Sequence, residues 1–371
     1  MNSRERFQAT LNHQVADRLP VDFLWPRSET IAQLREHFQT DSKETVLRKL
    51  GVDFRWLGVG ERYPDYEGRL NGRLEGDAPG AGRAYIFHDT QTFEDEWGIV
   101  QRVGDDGKYL QWKGGPLVGK ETLDGWSVPP VEYPPVDVIR KGLEDAKEFA
   151  TVTEVSFPFK IAWHICGYEH FLTLMVLQPE MVEELYDRLY EFQMRRAVVC
   201  AEAGFDVIAV VGDIASQRGM MFSPAMFERF DVPRFTRLVK AVKGTNPAVK
   251  VLYHSDGDMG AVIPQLIRCG IDILNPIQST CMDPARIKAS YGKQLSFHGA
   301  ISVQHTLPFG TADDVRREVI RRIETVGYDG GYIVSPENSI PYDAPLENVL
   351  VLYDTVRAYD YRRLTAKRLT C

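Results

Sequence analysis

AVKVLYHSDGDMGAVIPQLIRCGIDILNPI, residues 248–277, holds one complete unit of the architecture. The β-branched run at 248–254 reads as a strand, and a polar turn follows it. An amphipathic stretch from about Met259 reads as a helix, and 271–277 as the next strand. Strand, helix, strand in that order makes a parallel pair joined by a right-handed crossover. The same alternation continues on both sides. Downstream lie strands at 295–300 (LSFHGA) and 331–335 (GYIVS). Between them a helix over 312–326 begins at Thr311-Ala312-Asp313-Asp314 and ends before Gly327. Upstream, a strand at 205–212 (FDVIAVVG) follows a helix over 179–203, where Met181, Leu185, Leu189, Phe192, Val199 and Ala203 recur at helical spacing. Another helix starts near Ser223-Pro224, a cap followed by a proline at the first helical position.

The front half follows the same plan less cleanly. A short helix (3–12) precedes a strand at 19–25 (LPVDFLW), helical segments fill about 28–50, and a second strand covers 53–59. Residues 153–162 (TEVSFPFKIA) read as a third strand, with helix from about 164. Eight strands result, starting near 19, 53, 153, 205, 248, 271, 295 and 331, and eight such units close a (β/α)8 barrel. The competing architecture, an open doubly wound sheet, would carry a glycine-rich phosphate turn after its first strand, and none is present. The segment 60–135 differs. It is rich in Gly, Pro and Asp, with alternating patches AYIFHD, GIVQRV and KYLQWK. It is expected to insert two or three antiparallel strands over the barrel mouth, within one domain spanning 1–371.

Composition narrows the function classes. A formal net charge of −8, with 44 basic and 52 acidic residues interleaved, leaves no basic stripe for nucleic acid or an anionic membrane. The N-terminus MNSRERFQATLNHQ has no apolar core, and no run of about eighteen apolar residues exists to span a bilayer. The five cysteines, Cys166, Cys200, Cys269, Cys281 and Cys371, form no CxxC pair, so reduced thiols in a cytoplasmic protein are expected.

Active sites of such barrels lie at the C-terminal strand ends. The expected ends carry Asp22 and Trp25, Trp56, Trp163 and His164, Asp213, His254 to Asp256, Asn275 and Gln278, His298, and Glu337 with Asn338. The sharpest signal is His254-Ser255-Asp256-Gly257. Two ligand types two residues apart at a strand end point to one side, and imidazole with carboxylate suits zinc or acid–base work. The competing reading makes Asp256 a helix cap and His254 a packed core residue. The expected catalytic residues are His254, Asp213 and His298. His254 and Asp256 supply two metal ligands; the third comes from Asp213, His298 or Glu337, with Glu337 as the working choice. Trp25, Trp56 and Trp163 are expected to wall a planar substrate or to pack as core. Arg27, Asn275, Gln278 and Asn338 complete the expected substrate-binding set. No GxSxG or paired Cys/His nucleophile motif is present.

SRERFQATLNHQVADRLPVDF at the start, DEWGIVQR at 95–102, residues 253–278 and 296–319, and the tail GGYIVSPENSIPYDAPLENVLVLYD together resemble the uroporphyrinogen decarboxylase superfamily. The resemblance covers nearly the whole chain and implies the barrel derived above. It implies two chemistries. True decarboxylases of that superfamily carry an RQAGRY-type loop after strand 1 and an aspartate after strand 2. Here the loops read WPRSET, with Arg27 the single arginine, and FRWLGVGERY, with Glu61 the nearest acid. The cobamide-dependent methyltransferases use an HxC pair after strand 5 and a GCG cysteine after strand 8 to hold zinc. The matching positions here are His254, Asp256 and Asn338, the last a histidine in the decarboxylases. Carboxylate or amide in place of thiolate makes a harder site, suited to an oxygen-centred substrate group.

The resemblance therefore implies a corrinoid-dependent methyltransferase or O-demethylase acting on a small, aromatic or similar substrate. With no DxHxxG signature in the chain, the cobalamin is expected on a separate corrinoid carrier protein, and a homodimer is left open. The alternative is a decarboxylase, with His254 or His298 as proton donor and Arg27 or Arg218 as carboxylate clamp. A non-catalytic binding barrel is the third reading.

Overall fold

The structure, a computed structural model, describes residues 1–14, 16–75, 83–361 and 364. In chain order the strands are β1 (Phe54–Trp56), β2 (Gly72–Arg73), β3 (Ala84–Phe87), β4 (Thr92–Glu94), β5 (Val100–Val103), β6 (Leu110–Gly114), β7 (Ala150–Ser156) and β8 (Val207–Val211). There follow β9 (Ala215–Ser216), β10 (Gly219–Met220), β11 (Lys250–His254), β12 (Ile273–Asn275), β13 (Ser296–Ile301) and β14 (Tyr332–Pro336). Seven of them form one parallel sheet in the order β1-β7-β8-β11-β12-β13-β14. Residues 20–22 close the ring. Val334 N donates to Pro20 O and Asp22 N to Val334 O, while Asp53 N donates to Val21 O. The fold is a (β/α)8 barrel. Its first stave is shorter than the 19–25 expected, reduced to a single bridge at Val21. Pro20 has no N–H to give, and Trp25 sits at a left-handed φ of 41° that leaves the strand path.

Period-two alternation sorts each stave. Leu252 packs inside with Phe54, Val152, Val207, Ala209, Ile273 and Ile333, whereas Val251 and Tyr253 face the helices in the larger core. Each aliphatic buried in this way contributes roughly 1.5–3 kcal/mol. Phe7 of the helix Ser3–Leu11 joins the inner cluster, its ring edge-on to Phe54 at 5.3 Å. Two residues beyond each apolar layer, the same inward face carries Trp56, Glu154, His254 and Asn275. Alternation thus places the polar layer at the C-terminal end.

The third strand ends earlier than expected. β7 stops at Ser156, and a helix runs Pro158–Cys166 with the proline in its first turn. The apolar run FPFKIA belongs to that helix because Pro158 cannot donate to a ladder but starts a helix without loss. Trp163 and His164 are consequently in its last turns and not at a strand end. The helices Pro179–Ala203 and Ala312–Thr325 match expectation, the latter with a Thr311/Asp314 capping box.

The insertion is a five-stranded antiparallel meander, β2-β3-β4-β5-β6, with more strands than the two or three expected. It has a small core of Leu74, Tyr85 and Phe93. It touches loops at the C-terminal end of the barrel: Lys108 Nζ lies 3.2 Å from the centre of the Tyr342 ring, and the Arg27 guanidinium 5.6 Å from that of Tyr109. Among the described residues no helix is long and apolar enough to cross a membrane. Cys166, Cys200, Cys269 and Cys281 are free thiols; Cys371 lies outside the described residues.

Candidate active site

His254 ends β11, and its alternation with Leu252 turns it inward at the barrel mouth. Asp213 follows β8, the strand paired with β11, and Asp256 lies two residues beyond His254. Ligand atoms of Asp213, His254 and Asp256 all lie within 4.8 Å of one another. His254 Nε2 is 3.8 Å from Asp213 Oδ1 and 4.0 Å from Asp256 Oδ1. The imidazole side chain is 4% exposed while the Asp213 and Asp256 side chains are 44% and 37% exposed, so a buried nitrogen meets two carboxylates that reach solvent.

Backbone contacts lock the two loops together. Asp256 N donates to Asp213 Oδ1 at 2.8 Å, Ile214 N donates to Ser255 Oγ, and Ser255 Oγ donates to Asp256 O. Gly257 has φ +88°, and a Cβ there would meet Ser216 O at 2.5 Å, so the turn leaving the site needs glycine. Asn338 Nδ2 donates to Asp256 Oδ2 at 2.7 Å. Burial pushes the Asp256 carboxyl above its ordinary range; His254 opposes the shift, the Asp213 charge reinforces it, and Asn338 and Lys160 counter it.

Behind His254 a polar chain crosses the barrel. His254 Nδ1 lies 2.5 Å from Asn275 Oδ1, and Asn275 Nδ2 lies 2.6 Å from His298 Nδ1 and 3.2 Å from His298 O. His298 Nε2 lies 3.0 Å from Asp22 Oδ2, which also accepts from Trp56 Nε1 at 2.9 Å. Trp25 packs edge-on against His254, ring centres 4.7 Å apart, and lies 5.8 Å from Trp56. Its Nε1 donates to Glu154 Oε1.

Several expected residues stand elsewhere. Glu337 is not among the gathered donors. Its Oε1 accepts from the N and Oγ of Ser279, and burial raises its pKa; of the three candidates for a third donor, Asp213 is the one gathered with His254 and Asp256. Trp163 leaves the tryptophan wall, stacking on His164 at 3.7 Å and meeting Tyr168 edge-on. His298 is 1% exposed, with a partner at each ring nitrogen, so it is shut off from solvent behind Asn275. Asn275 is likewise held between two histidines, and Gln278 Oε1 accepts from Gly257 N. Arg218 lies in the exposed β9–β10 turn, its amide donating to Ser216 Oγ. Glu154 was not singled out from sequence, although its alternation with Val152 on β7 was the available signal.

Curated relatives fall on both chemical branches. The methylcobamide:CoM methyltransferase MtaA of Methanosarcina barkeri is 25% identical over 242 residues, covering 62% of this chain and 67% of that protein. The chloroplastic uroporphyrinogen decarboxylase 2 of Arabidopsis thaliana is 21% identical over 220 residues, covering 58% of this chain and 53% of its own. The chain thus spans between half and two thirds of these relatives' length. Among solved structures, a methyltransferase from Methanosarcina mazei superposes with TM-score 0.67 at 18% identity, over 96% of this chain and 98% of that one, which fixes the barrel fold. The sequence pattern of the family described as uroporphyrinogen decarboxylase (URO-D) matches residues 129–359, from the helix before β7 to the end of the last barrel helix. With well over half its length in that match, the chain belongs to the uroporphyrinogen decarboxylase (URO-D) family.

Proposed function

We propose that this chain is a methyltransferase of the family that moves a methyl group between a small oxygen-bearing substrate, such as a methoxylated aromatic, and a corrinoid carried by a separate protein. The observation that carries the reading is the convergence of Asp213, His254 and Asp256 within 4.8 Å at the barrel mouth. One nitrogen and two carboxylate donors fit zinc or a harder divalent cation and leave an open position, as catalytic sites do. Such a cation, when bound, supplies Lewis-acid polarisation of a substrate oxygen. Asp213 and Asp256 would hold the cation and offset its charge, and Trp25 with Trp56 offers an apolar wall to a flat substrate. Asn338 holds Asp256 in place through Oδ2 and leaves Oδ1 to face His254.

The decarboxylase alternative receives less support. The loop after the first stave offers Arg27 alone, and that guanidinium lies over the Tyr109 ring. Several acetate groups on one substrate would need several fixed cations. The test is metal content of the purified protein together with cob(I)alamin-dependent release of phenol from methoxylated aromatics. About one equivalent of zinc, lost in His254→Ala along with turnover, supports the reading. Full turnover in chelator-treated protein, or carbon dioxide release from a carboxylate substrate, overturns it.

A further inference from the structure

We propose that Asn275, His298 and Asp22 are positioning residues that hold His254 in the tautomer protonated on Nδ1, so that Nε2 faces Asp213 and Asp256 with its lone pair free. The proposal rests on the reading of His254 as a ligand, and it is decided by atoms that never touch the cation or substrate.

The assignment closes from both ends of the chain. At the far end, Asp22 Oδ2 accepts from Trp56 Nε1 at 2.9 Å and lies 3.0 Å from His298 Nε2. A carboxylate oxygen only accepts, so His298 carries its proton on Nε2. In the middle, the Asn275 atom 3.2 Å from the His298 carbonyl oxygen must be the amide nitrogen, because a carbonyl offers no proton. That same nitrogen lies 2.6 Å from His298 Nδ1 and donates to it. The orientation of Asn275 is fixed, and its Oδ1 faces His254 Nδ1 at 2.5 Å. An amide oxygen only accepts, so His254 holds its proton on Nδ1. The other ring nitrogen, Nε2, faces the two carboxylates at 3.8 Å and 4.0 Å.

These bonds lie out of reach of bulk solvent. Asp22, Asn275 and His298 are each 1% exposed and His254 3%. In such surroundings an unmatched donor or acceptor carries its full desolvation cost. Ring contacts fix both imidazole planes: Trp25 stands edge-on to His254, and Phe54 edge-on to His298 at 6.0 Å. Gly299 supplies the room. Its φ is +106°, and a Cβ there would lie 3.1 Å from Pro276 Cβ and 3.4 Å from Asn275 Nδ2. The four residues come from the first stave, β13, β12 and β11, so the tautomer is set by the closed barrel and not by local sequence.

The test is long-range 1H–15N correlation on 15N-histidine protein freed of metal. The His254→Gln and His298→Gln spectra assign two of the chain's eight histidines. The expected result is His254 protonated on Nδ1 alone and His298 on Nε2 alone. His254 protonated on Nε2, or averaging between tautomers, overturns the proposal. Asn275→Leu should release His254 to a mixture and weaken zinc binding about 10- to 100-fold, the usual range for an outer partner of a histidine ligand. Unchanged tautomer and affinity in that variant would also overturn it. Should the variant not fold, the wild-type spectrum still decides. A protein that binds no zinc yet shows His254 protonated on Nδ1 keeps the tautomer lock and loses the methyltransferase reading. Zinc binding with His254 protonated on Nε2 does the reverse.

Discussion

The backbone amide of Asp256 donates to Asp213 Oδ1 across 2.8 Å, tying the loop after β11 to the loop after β8. Asp213 therefore serves as a brace for one loop as well as a charge facing His254. Asp213→Asn separates the two. The amide oxygen still accepts from Asp256 N, so the fold and the loop geometry persist, but the anion is gone. Zinc affinity, read by competition with a chromophoric chelator, should fall by more than the roughly 10- to 100-fold that an outer partner costs. Wild-type affinity in Asp213→Asn would remove Asp213 from the ligand set.

Asp256→Cys tests the hardness of the site. A thiolate suits zinc at least as well as a carboxylate, so bound metal should persist or tighten. Reaction at a substrate oxygen should slow, because a softer and more electron-rich donor leaves the cation a weaker Lewis acid. The same change leaves Asn338 Nδ2 without the acceptor it now has at 2.7 Å, which should lower the unfolding midpoint slightly. Loss of zinc with turnover retained is the result that sinks this account.

How far the sequence carried these assignments depends on which forces were local. The strand rhythm was legible because β-branched runs and amphipathic stretches differ in period over short windows. His254 and Asp256 were legible for the same reason, since a spacing of two at a strand end fixes their common side. FPFKIA was not, because an apolar run of that length reads as strand or helix until Pro158 is placed in a first turn. That Asp213 and not Glu337 lies beside His254 and Asp256 was beyond local pattern altogether: Ser279, on the loop after β12, donates to Glu337, while Asp213 accepts from the Asp256 amide on the loop after β11. The insertion's five strands were undercounted because each is only two to five residues long.

Barrel closure should hinge on Asp53. It is fully buried, pairs with Arg6 and Arg18 at 2.7 Å each, and accepts from Val21 N at 2.8 Å. Asp53→Ala leaves two guanidinium groups without their buried partner and frees the short first stave. The expected loss is about 3–5 kcal/mol, the range for breaking a buried pair from one side. Asp17→Ala, which removes a 34%-exposed partner of Arg6, should cost no more than about 1 kcal/mol. Urea midpoints give both values. Comparable losses in the two variants would mean that the Asp53 cluster does not close the ring.

Asp231 gives a pH dependence of defined sign. It lies wholly buried between the helices Pro179–Ala203 and Val232–Thr245, where Tyr190 OH donates to its Oδ1 at 2.8 Å and its Oδ2 has no protein partner. Burial pushes its carboxyl up to about 8, with the Tyr190 hydrogen bond and Arg234 opposing. Between the ordinary carboxylate range and about 8 the folded protein therefore holds a proton that the unfolded chain has released. Stability falls as pH rises wherever the folded state binds more protons, here by at most about 1.4 kcal/mol per pH unit. Asp231→Asn keeps the shape and an acceptor for Tyr190 while removing the titration. Its stability should fall less steeply than that of the wild type from pH 5 to 8, since Asp95, pushed up to about 7 by burial, titrates in both proteins. Urea unfolding at half-unit pH steps measures this, and parallel profiles for the two proteins would show that Asp231 is already ionised in the fold.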